Sequence, residues 1–337
     1  MAIKILFCFY PLYVKYNHGI ALLSSLCKAF DIDTEIYLLD NIDNFNKYLQ
    51  YRKFDYIAYS CVTKKDYMLS LPFMYFTDAI GYFNLLGGVY PRYGFSINAP
   101  VKVICRGDGE MLPLFLTNNY LKIFETPDYY KDLNNLPLPD YDLFKSIPYN
   151  RKLPLGDFKK PLPYSSSRGC PFRCSFCATN LQPNGVRIRT KVGNDLDYLV
   201  SKYTPDVIHF MDELIPYYDN DWKESWNNFR FPFIAYIRAD IKESDLLWLI
   251  DRGLSGCFFG IESGNEEFRN KILGKNLSDK QINETINILN ANKIPYIASY
   301  IQGVPGESWE LQADTVEFSR KIGGNPIFYQ YENVIGA

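Results

Sequence analysis

Along the first hundred residues, runs of unbroken apolar residues alternate with longer stretches that mix apolar and polar positions. IKILFCF at 3–9, TEIYLL at 34–39, YIAYS at 56–60, YFNLLGG at 82–88 and VKVIC at 101–105 read as strands. The stretches at 19–30 and around 66–82 read as helices. Strands apolar on both faces and separated by helices imply a parallel sheet covered on both sides, a doubly wound, Rossmann-like domain. Ligands of such sheets bind beyond the carboxyl ends of the strands, where Tyr10-Pro11, Ser60 to Thr63, Gly87-Gly88 and Gly107 to Glu110 lie.

Between about 126 and 163 the periodicity fails. DLNNLPLPDYD and RKLPLGDFKKPLP are rich in Pro, Asp and Leu and predict a linker between residues 1–125 and a second domain at 164–337. There the alternation resumes with longer units, and strands are expected at 164–168, 206–212, 232–238, 256–262, 295–302 and 326–334. Ser244 is placed to cap a helix stopping at Gly253, Ser278 one with Gln281 three residues on, and Ser308 one ending near Gly323-Gly324. Repeated strand–helix units of this kind predict a partial (βα)6, TIM-like barrel with its site at the carboxyl ends of its strands.

The 337 residues are long enough for two cores. No window approaches the about 18 consecutive apolar residues of a membrane span. The opening MAIKILFCFY reads as a buried strand, not a signal peptide, so the expectation is a cytoplasmic protein with no membrane partner. A net charge of −2 leaves no basic excess for a phosphate backbone, which argues against nucleic acid as partner.

Of the eight cysteines, Cys8, Cys27, Cys61, Cys105 and Cys257 are isolated and read as small core residues. Cys170, Cys174 and Cys177 instead crowd into SSSRGCPFRCSFC after a short strand, a pattern of metal or redox chemistry in a chain without an export signal. Zinc would require a fourth ligand, and His18 and His209 both lie outside this loop. Three thiolates on a 4Fe–4S cluster leave one iron open, able to chelate the amino and carboxylate groups of S-adenosylmethionine (SAM).

The C-x3-C-x2-C loop and the segments after it resemble the radical SAM superfamily across nearly all of 164–337. The resemblance implies a 4Fe–4S cluster held by Cys170, Cys174 and Cys177, and a 5′-deoxyadenosyl radical formed by reductive cleavage of SAM. It places Phe176 beside the adenine and Asp212 and Glu213 of HFMDE near the methionine amino group. Arg238 would pair with the methionine carboxylate or, alternatively, with the adjacent Asp240. Glu262 and Ser263 of GIESG would approach ribose and carboxylate, and Gln302 and Gly303 of YIQGVPGES the adenine.

A doubly wound domain before such a barrel resembles the cobalamin-binding branch of the superfamily, on YSCVT, LLGGVYP and CRGDGEMLPLF. That implies cobalamin bordered by Ser60, Thr63, Gly87, Gly88, Gly107 and Glu110. The chain has no D-x-H-x-x-G run, so such a cobalamin would lack a histidine lower ligand; His18 in YNHGIA lacks the preceding Asp. The function implied is C-methylation of an unactivated carbon through the 5′-deoxyadenosyl radical and methylcobalamin. A rearrangement, oxidation or epimerisation by the same radical is the alternative, and an iron–sulfur electron-transfer or sensor protein the reading from another class. The implied partners are a small-molecule or peptide substrate and an electron donor such as flavodoxin or ferredoxin. Tyr10, Tyr13, Tyr16, Tyr217, Tyr218, Tyr300, Tyr329 and Tyr331 fall near expected strand ends, where they could line a substrate or corrin pocket; for any one of them the core is the default.

Overall fold

The computed structural model describes residues 2–10, 17–92, 97–118, 132–147, 155–181 and 185–331. Tyr13 and Tyr16 lie outside them. The chain divides into two units, residues 1–131 with 135–151 and residues 132–134 with 152–335. The stretch expected as a linker is thus shared out. Asp140 accepts from Ser24 Oγ at 2.9 Å and Lys28 Nζ at 2.6 Å in the first unit, while Asn134 caps Thr190 N at 2.9 Å in the second.

The first unit is built on a five-stranded parallel sheet of β1 (Lys4–Phe9), β2 (Asp33–Leu38), β3 (Tyr56–Ser60), β4 (Phe83–Gly87) and β5 (Val103–Ile104), in the order β2-β1-β3-β4-β5. The order reverses between β1 and β3, and a ligand crevice is expected beyond the strand ends there. Helices His18–Lys28 and Lys64–Ala79 match the predicted stretches. Helix Ile42–Gln50 has no counterpart in the sequence reading: its nine residues carry only Phe45 and Leu49 as buried anchors, too short a pattern to register. Those two side chains join Leu6, Ile57, Tyr59, Phe73 and Met74 in the core of this unit.

The second unit holds a six-stranded parallel sheet in the order β13-β12-β11-β10-β9-β6, with β6 (Pro161–Tyr164), β9 (Val207–Phe210), β10 (Phe233–Tyr236), β11 (Leu254–Glu262), β12 (Tyr296–Gln302) and β13 (Asn325–Gln330). A short antiparallel ribbon of β7 (Ser167–Arg168) and β8 (Arg187–Ile188) follows β6. The strand expected at 164–168 therefore starts earlier, at PLPY. Its two prolines argue against a central strand, but β6 is an edge, where a missing N–H costs nothing. Ser278 and Ser308 cap as expected, the former in a complete capping box with Gln281. Ser244 does not: Lys242 is the N-cap residue and Ser244 sits inside Glu243–Arg252, which ends on left-handed Gly253 as foreseen.

One sheet face packs on aromatics. Phe210 of β9 stacks on Trp226 at 5.7 Å and meets Phe233 of β10 edge-on at 5.4 Å, with Trp222 against Trp226. At the carboxyl end of β6, Asp195 accepts from Tyr164 Oη at 2.7 Å and forms a two-pronged ion pair with buried Arg189. Arg189 N in turn binds Ser166 O at 2.7 Å, tying the network to the start of the cysteine loop.

Asp195→Ala leaves the Arg189 guanidinium buried without its anion and is expected to destabilise the chain by about 3–5 kcal/mol, against about 1 kcal/mol for Tyr164→Phe. Urea denaturation of the two variants checks the ratio; equal small losses would contradict the network's ionic character.

Candidate active site

The cysteine loop leaves β7 at Gly169, whose φ of +86° and contact with the Gly185 carbonyl leave no room for a Cβ. Cys177 N binds Cys174 O at 3.1 Å, and Ser175 docks the loop onto the 272–275 segment through its N to Leu273 O (3.0 Å) and its Oγ to Ile272 O (2.9 Å). Burial pushes the Cys170 thiol pKa up, and the proximity of Cys177 and Cys174 adds to the shift. Three thiols this close along one loop suit a cationic group that takes up thiolate charge. Among the described residues no three His, Cys, Asp or Glu side chains converge tightly enough for a single metal ion. The donor set is soft thiolate, which selects an iron–sulfur cluster over hard cations.

The acidic pair of HFMDE divides its work. Asp212 is buried and accepts from Ser166 N at 3.0 Å, Ser166 Oγ at 3.1 Å and Ser167 Oγ at 2.5 Å. Trp222 Nε1 donates to the same Ser166 hydroxyl at 2.9 Å. Asp212 therefore braces the approach to the cysteine loop. Glu213 accepts from Gly169 N at 3.2 Å, placing its carboxylate where the loop begins. Burial drives the Asp212 carboxyl up to about 7, in spite of its serine donors.

Arg238, beyond the end of β10, binds Asp240 through Nε (3.0 Å) and Nη2 (2.9 Å), so the intramolecular pair foreseen as the alternative is present. Its guanidinium also reaches Lys275 O at 2.8 Å, lies 3.9 Å from Cys174 Sγ and covers the Phe172 ring at 3.7 Å. Burial opposes the Arg238 charge, but Asp240 outweighs it and raises the pKa further. A fixed cation thus faces the second cysteine.

At the end of β11, Glu262 adopts a left-handed φ of +70° and accepts from Lys275 Nζ at 2.6 Å, both side chains buried. A Cβ on Gly260 would strike the Glu262 carboxylate, which accounts for that glycine. Ser263 faces inward instead: its Oγ lies 3.4 Å from Thr315 Oγ1 and its carbonyl accepts from Arg269 at 2.8 Å. Arg269, fully buried, also binds Leu277 O at 2.8 Å and Asp279 at 2.5 Å, and so fixes the GIESG turn. The sequence reading gave Arg269 and Lys275 no part; the visible signal was two basic residues in the FRNKILGK segment that follows the acidic GIESG turn.

Phe176 packs with Phe268, Leu273, Val304, Ile301 and Tyr331 in a small apolar cluster, with Lys275 Nζ 5.7 Å from its ring centre. Gly303, at φ +78°, donates its N–H to Glu307 at 2.6 Å, and Gln302 O accepts from Tyr331 N at 2.7 Å. Of the expected cofactor residues in this unit, the structure brings Phe176, Glu262 and Gln302-Gly303 to one neighbourhood, Glu213 and Arg238 to the cysteines, and turns Asp212 and Ser263 toward the protein interior. Tyr300 is buried and stacks on Phe328 at 5.1 Å, as a core residue would.

In the first unit, a cavity of about 300 Å³ opens beyond the carboxyl ends of β1, β3, β4 and β5. Ser60, Gly87, Gly88 and Gly107 line it; Thr63 and Glu110 do not. Thr63 caps helix Lys64–Ala79 in a capping box with Asp66. Gly88, at φ +99°, lies against the Cys61 carbonyl, whereas a Cβ at Gly87 would meet only Cys105 Cβ, at 3.7 Å. Cys105, read as core, is half-buried and lines the cavity too. His18 binds Tyr141 Oη through Nδ1 at 2.8 Å.

No family model matches the chain. Over 208 residues it is 26% identical to an uncharacterised methyltransferase of Pyrococcus horikoshii, covering 57% of this chain and spanning 42% of that protein's length. Among solved structures, the radical SAM methyltransferase TsrM of Kitasatospora setae with tryptophan substrate and a SAM analogue bound aligns with a TM-score of 0.73 at 12% identity, over 97% of this chain and 73% of that one. TsrM with cobalamin and a 4Fe–4S cluster bound gives 0.70 at 11% identity, over 98% and 72%. The resemblance read from the motifs holds at the level of the α/β fold.

The pH dependence of stability tests the Asp212 brace. A carboxyl at about 7 in the fold and about 3.9 when unfolded keeps its proton in the native state between those values, so its contribution falls as pH rises from about 4 to about 7, by up to about 1.4 kcal/mol per pH unit. Asp212→Asn is expected to flatten that slope in urea midpoints taken between pH 4 and 8; parallel curves for variant and wild type would contradict the assignment.

Proposed function

We propose that this chain is a cobalamin-dependent radical SAM enzyme that methylates an unactivated carbon of its substrate. The carrying observation is the loop of Cys170, Cys174 and Cys177 held at the carboxyl end of a parallel sheet by Glu213, Arg238 and the 272–275 segment. The fold shared with TsrM and the sequence shared with a methyltransferase support the same reading. On this reading the second unit is the partial (βα)6 barrel and the first the cobalamin-binding-type domain.

The three cysteines would hold the 4Fe–4S cluster, Phe176 and the Gln302-Gly303 turn would border the adenine, and Glu262 with Lys275 would face the polar part of SAM. The first-unit cavity would take the tail of cobalamin. When bound, these groups supply the electron that cleaves SAM to a 5′-deoxyadenosyl radical and the carrier for the methyl group. The chain's own residues position and shield. Arg238 places positive charge beside Cys174, where it would offset the negative charge of a thiolate-ligated cluster. The Glu262–Lys275 pair, buried and mutually neutralised, offers a carboxylate and an ammonium that can exchange partners with a zwitterionic ligand at little net cost in charge. The apolar packing around Phe176 keeps water from the adenine side. A small-molecule substrate and a flavodoxin or ferredoxin as electron donor complete the scheme. Among the described residues no helix is long and apolar enough to cross a membrane.

Cys174→Ala is expected to abolish 5′-deoxyadenosine formation in reconstituted protein under strong reductant; cleavage at the wild-type rate would contradict the ligand assignment. For the first unit, Gly87→Leu projects a side chain into the cavity without a backbone clash and is expected to lower cobalamin content at least about tenfold while SAM cleavage persists. Unchanged cobalamin after anaerobic purification with hydroxocobalamin would sink that part of the reading.

A further inference from the structure

The sheet of the second unit has one face under Trp222 and Trp226 and a second face on which His209, Met211, Tyr236 and Phe258 have had no part so far. Side chains alternate along a strand. Phe210 and Phe233 pack on the tryptophans, so His209 and Met211 on one strand line, and Ile234 and Tyr236 on the next, point to the other side. Ile234 pairs with His209, and Tyr236 with Phe258 of β11. Three rings therefore gather there in nearly parallel planes: Tyr236 and Phe258 at 4.8 Å and 20°, His209 and Tyr236 at 6.3 Å and 22°, His209 and Phe258 at 6.0 Å and 28°.

Two features set this cluster apart from ordinary core. Met211 and Tyr236 are 42% and 38% exposed, although each belongs to a strand line whose neighbouring residues are buried. His209 is only 7% exposed, and neither ring nitrogen has a hydrogen-bond partner among the described residues. Burying an imidazole with both nitrogens idle is costly, and natural folds keep such a group where something else supplies the bond. Burial also lowers the His209 pKa to about 4, so near neutral pH the ring is uncharged, with one N–H donor and one acceptor. A neutral ring of that kind matches a neutral polar atom better than an anion. Glu213, Arg238 and Gly260 are the next residues on the same three strand lines, on the side of the cysteine loop.

We propose that the face formed by His209, Met211, Tyr236 and Phe258 is the substrate pocket, and that it takes a flat, uncharged heteroaromatic ring which stacks on Tyr236 and exchanges a hydrogen bond with His209. The inference rests on the radical SAM reading, since it places the substrate ring one step along the strands from the residues assigned to the cofactor. It assigns His209 the role of a specificity residue: a flat ring lacking a polar atom satisfies the stack but leaves the imidazole unpaired.

The test compares indole with indene, which share a shape and differ in the N–H group, by calorimetric titration of the whole reconstituted protein. Wild type is expected to bind indole at least about tenfold more tightly than indene. His209→Phe keeps a flat ring in the stack, removes both nitrogens and is expected to abolish that preference. Because the chain has two histidines, the nitrogen-15 spectrum of labelled protein isolates the ring, and the His209 signals should move on adding indole while those of His18 stay. Equal binding of the two probes, no saturable binding of either, or a preference that survives in His209→Phe would each overturn the proposal. SAM cleavage measured in the same wild-type preparation separates the two readings. Cleavage without discrimination overturns the pocket alone, and discrimination without cleavage overturns the cofactor assignment.

Discussion

Three thiols within eight residues repel one another as soon as they ionise, and the second unit is organised around holding them together regardless. Folding must supply both the geometry and the compensating charge. Geometry comes from hydrogen bonds at the loop's base, where Ser166, Ser167 and Gly169 are taken by Asp212 and Glu213, and from the docking of Ser175 on the 272–275 segment. Charge comes from Arg238, which Asp240 orients and keeps protonated while its far edge faces Cys174. Remove the cysteines and this arrangement would be an expensive way to end a strand. With them it suits the soft, electron-accepting group that the proposed function calls for.

The same economy explains the placement of polar groups elsewhere in that unit. Arg189 with Asp195, Arg269 with Asp279 and Lys275 with Glu262 are cations with their anions at the carboxyl ends of strands, where loops need anchoring. Two of these pairs are wholly buried and the third has its arginine buried; such pairs add little net stability, but they penalise alternative loop conformations because each one strands a charge. The turn of GIESG illustrates it: a glutamate in a left-handed conformation and a glycine that must yield space to it are kept in place by two basic residues from the following segment.

Much of this was legible in the chain. Parallel strands announced themselves because apolar runs buried on both faces have no polar alternation to confuse them, as in KILFCF and YIAYS. The cysteine loop stood out because its spacing is local. What escaped detection depends on contacts between segments distant in sequence. PLPY looked unlike a strand because proline signals a break, and only its edge position makes it one. Asp212 and Glu213 are neighbours of identical chemistry, and nothing in HFMDE says that one turns inward to the serines while the other meets the loop. Thr63 sits beside a cavity-lining residue, yet its hydroxyl is committed to a helix N-terminus through Asp66, three residues on.

The two adjacent glycines of LLGG show why a motif is an incomplete guide to function. Gly88 is dictated by backbone: its positive φ and the Cys61 carbonyl leave no side chain an option, whatever the cavity contains. Gly87 has an ordinary backbone with space before it, and the fold alone would accept a larger residue. On the proposed reading a larger side chain at Gly87 is what would obstruct a ligand in this cavity, whereas Gly88 would be glycine in an empty fold as well.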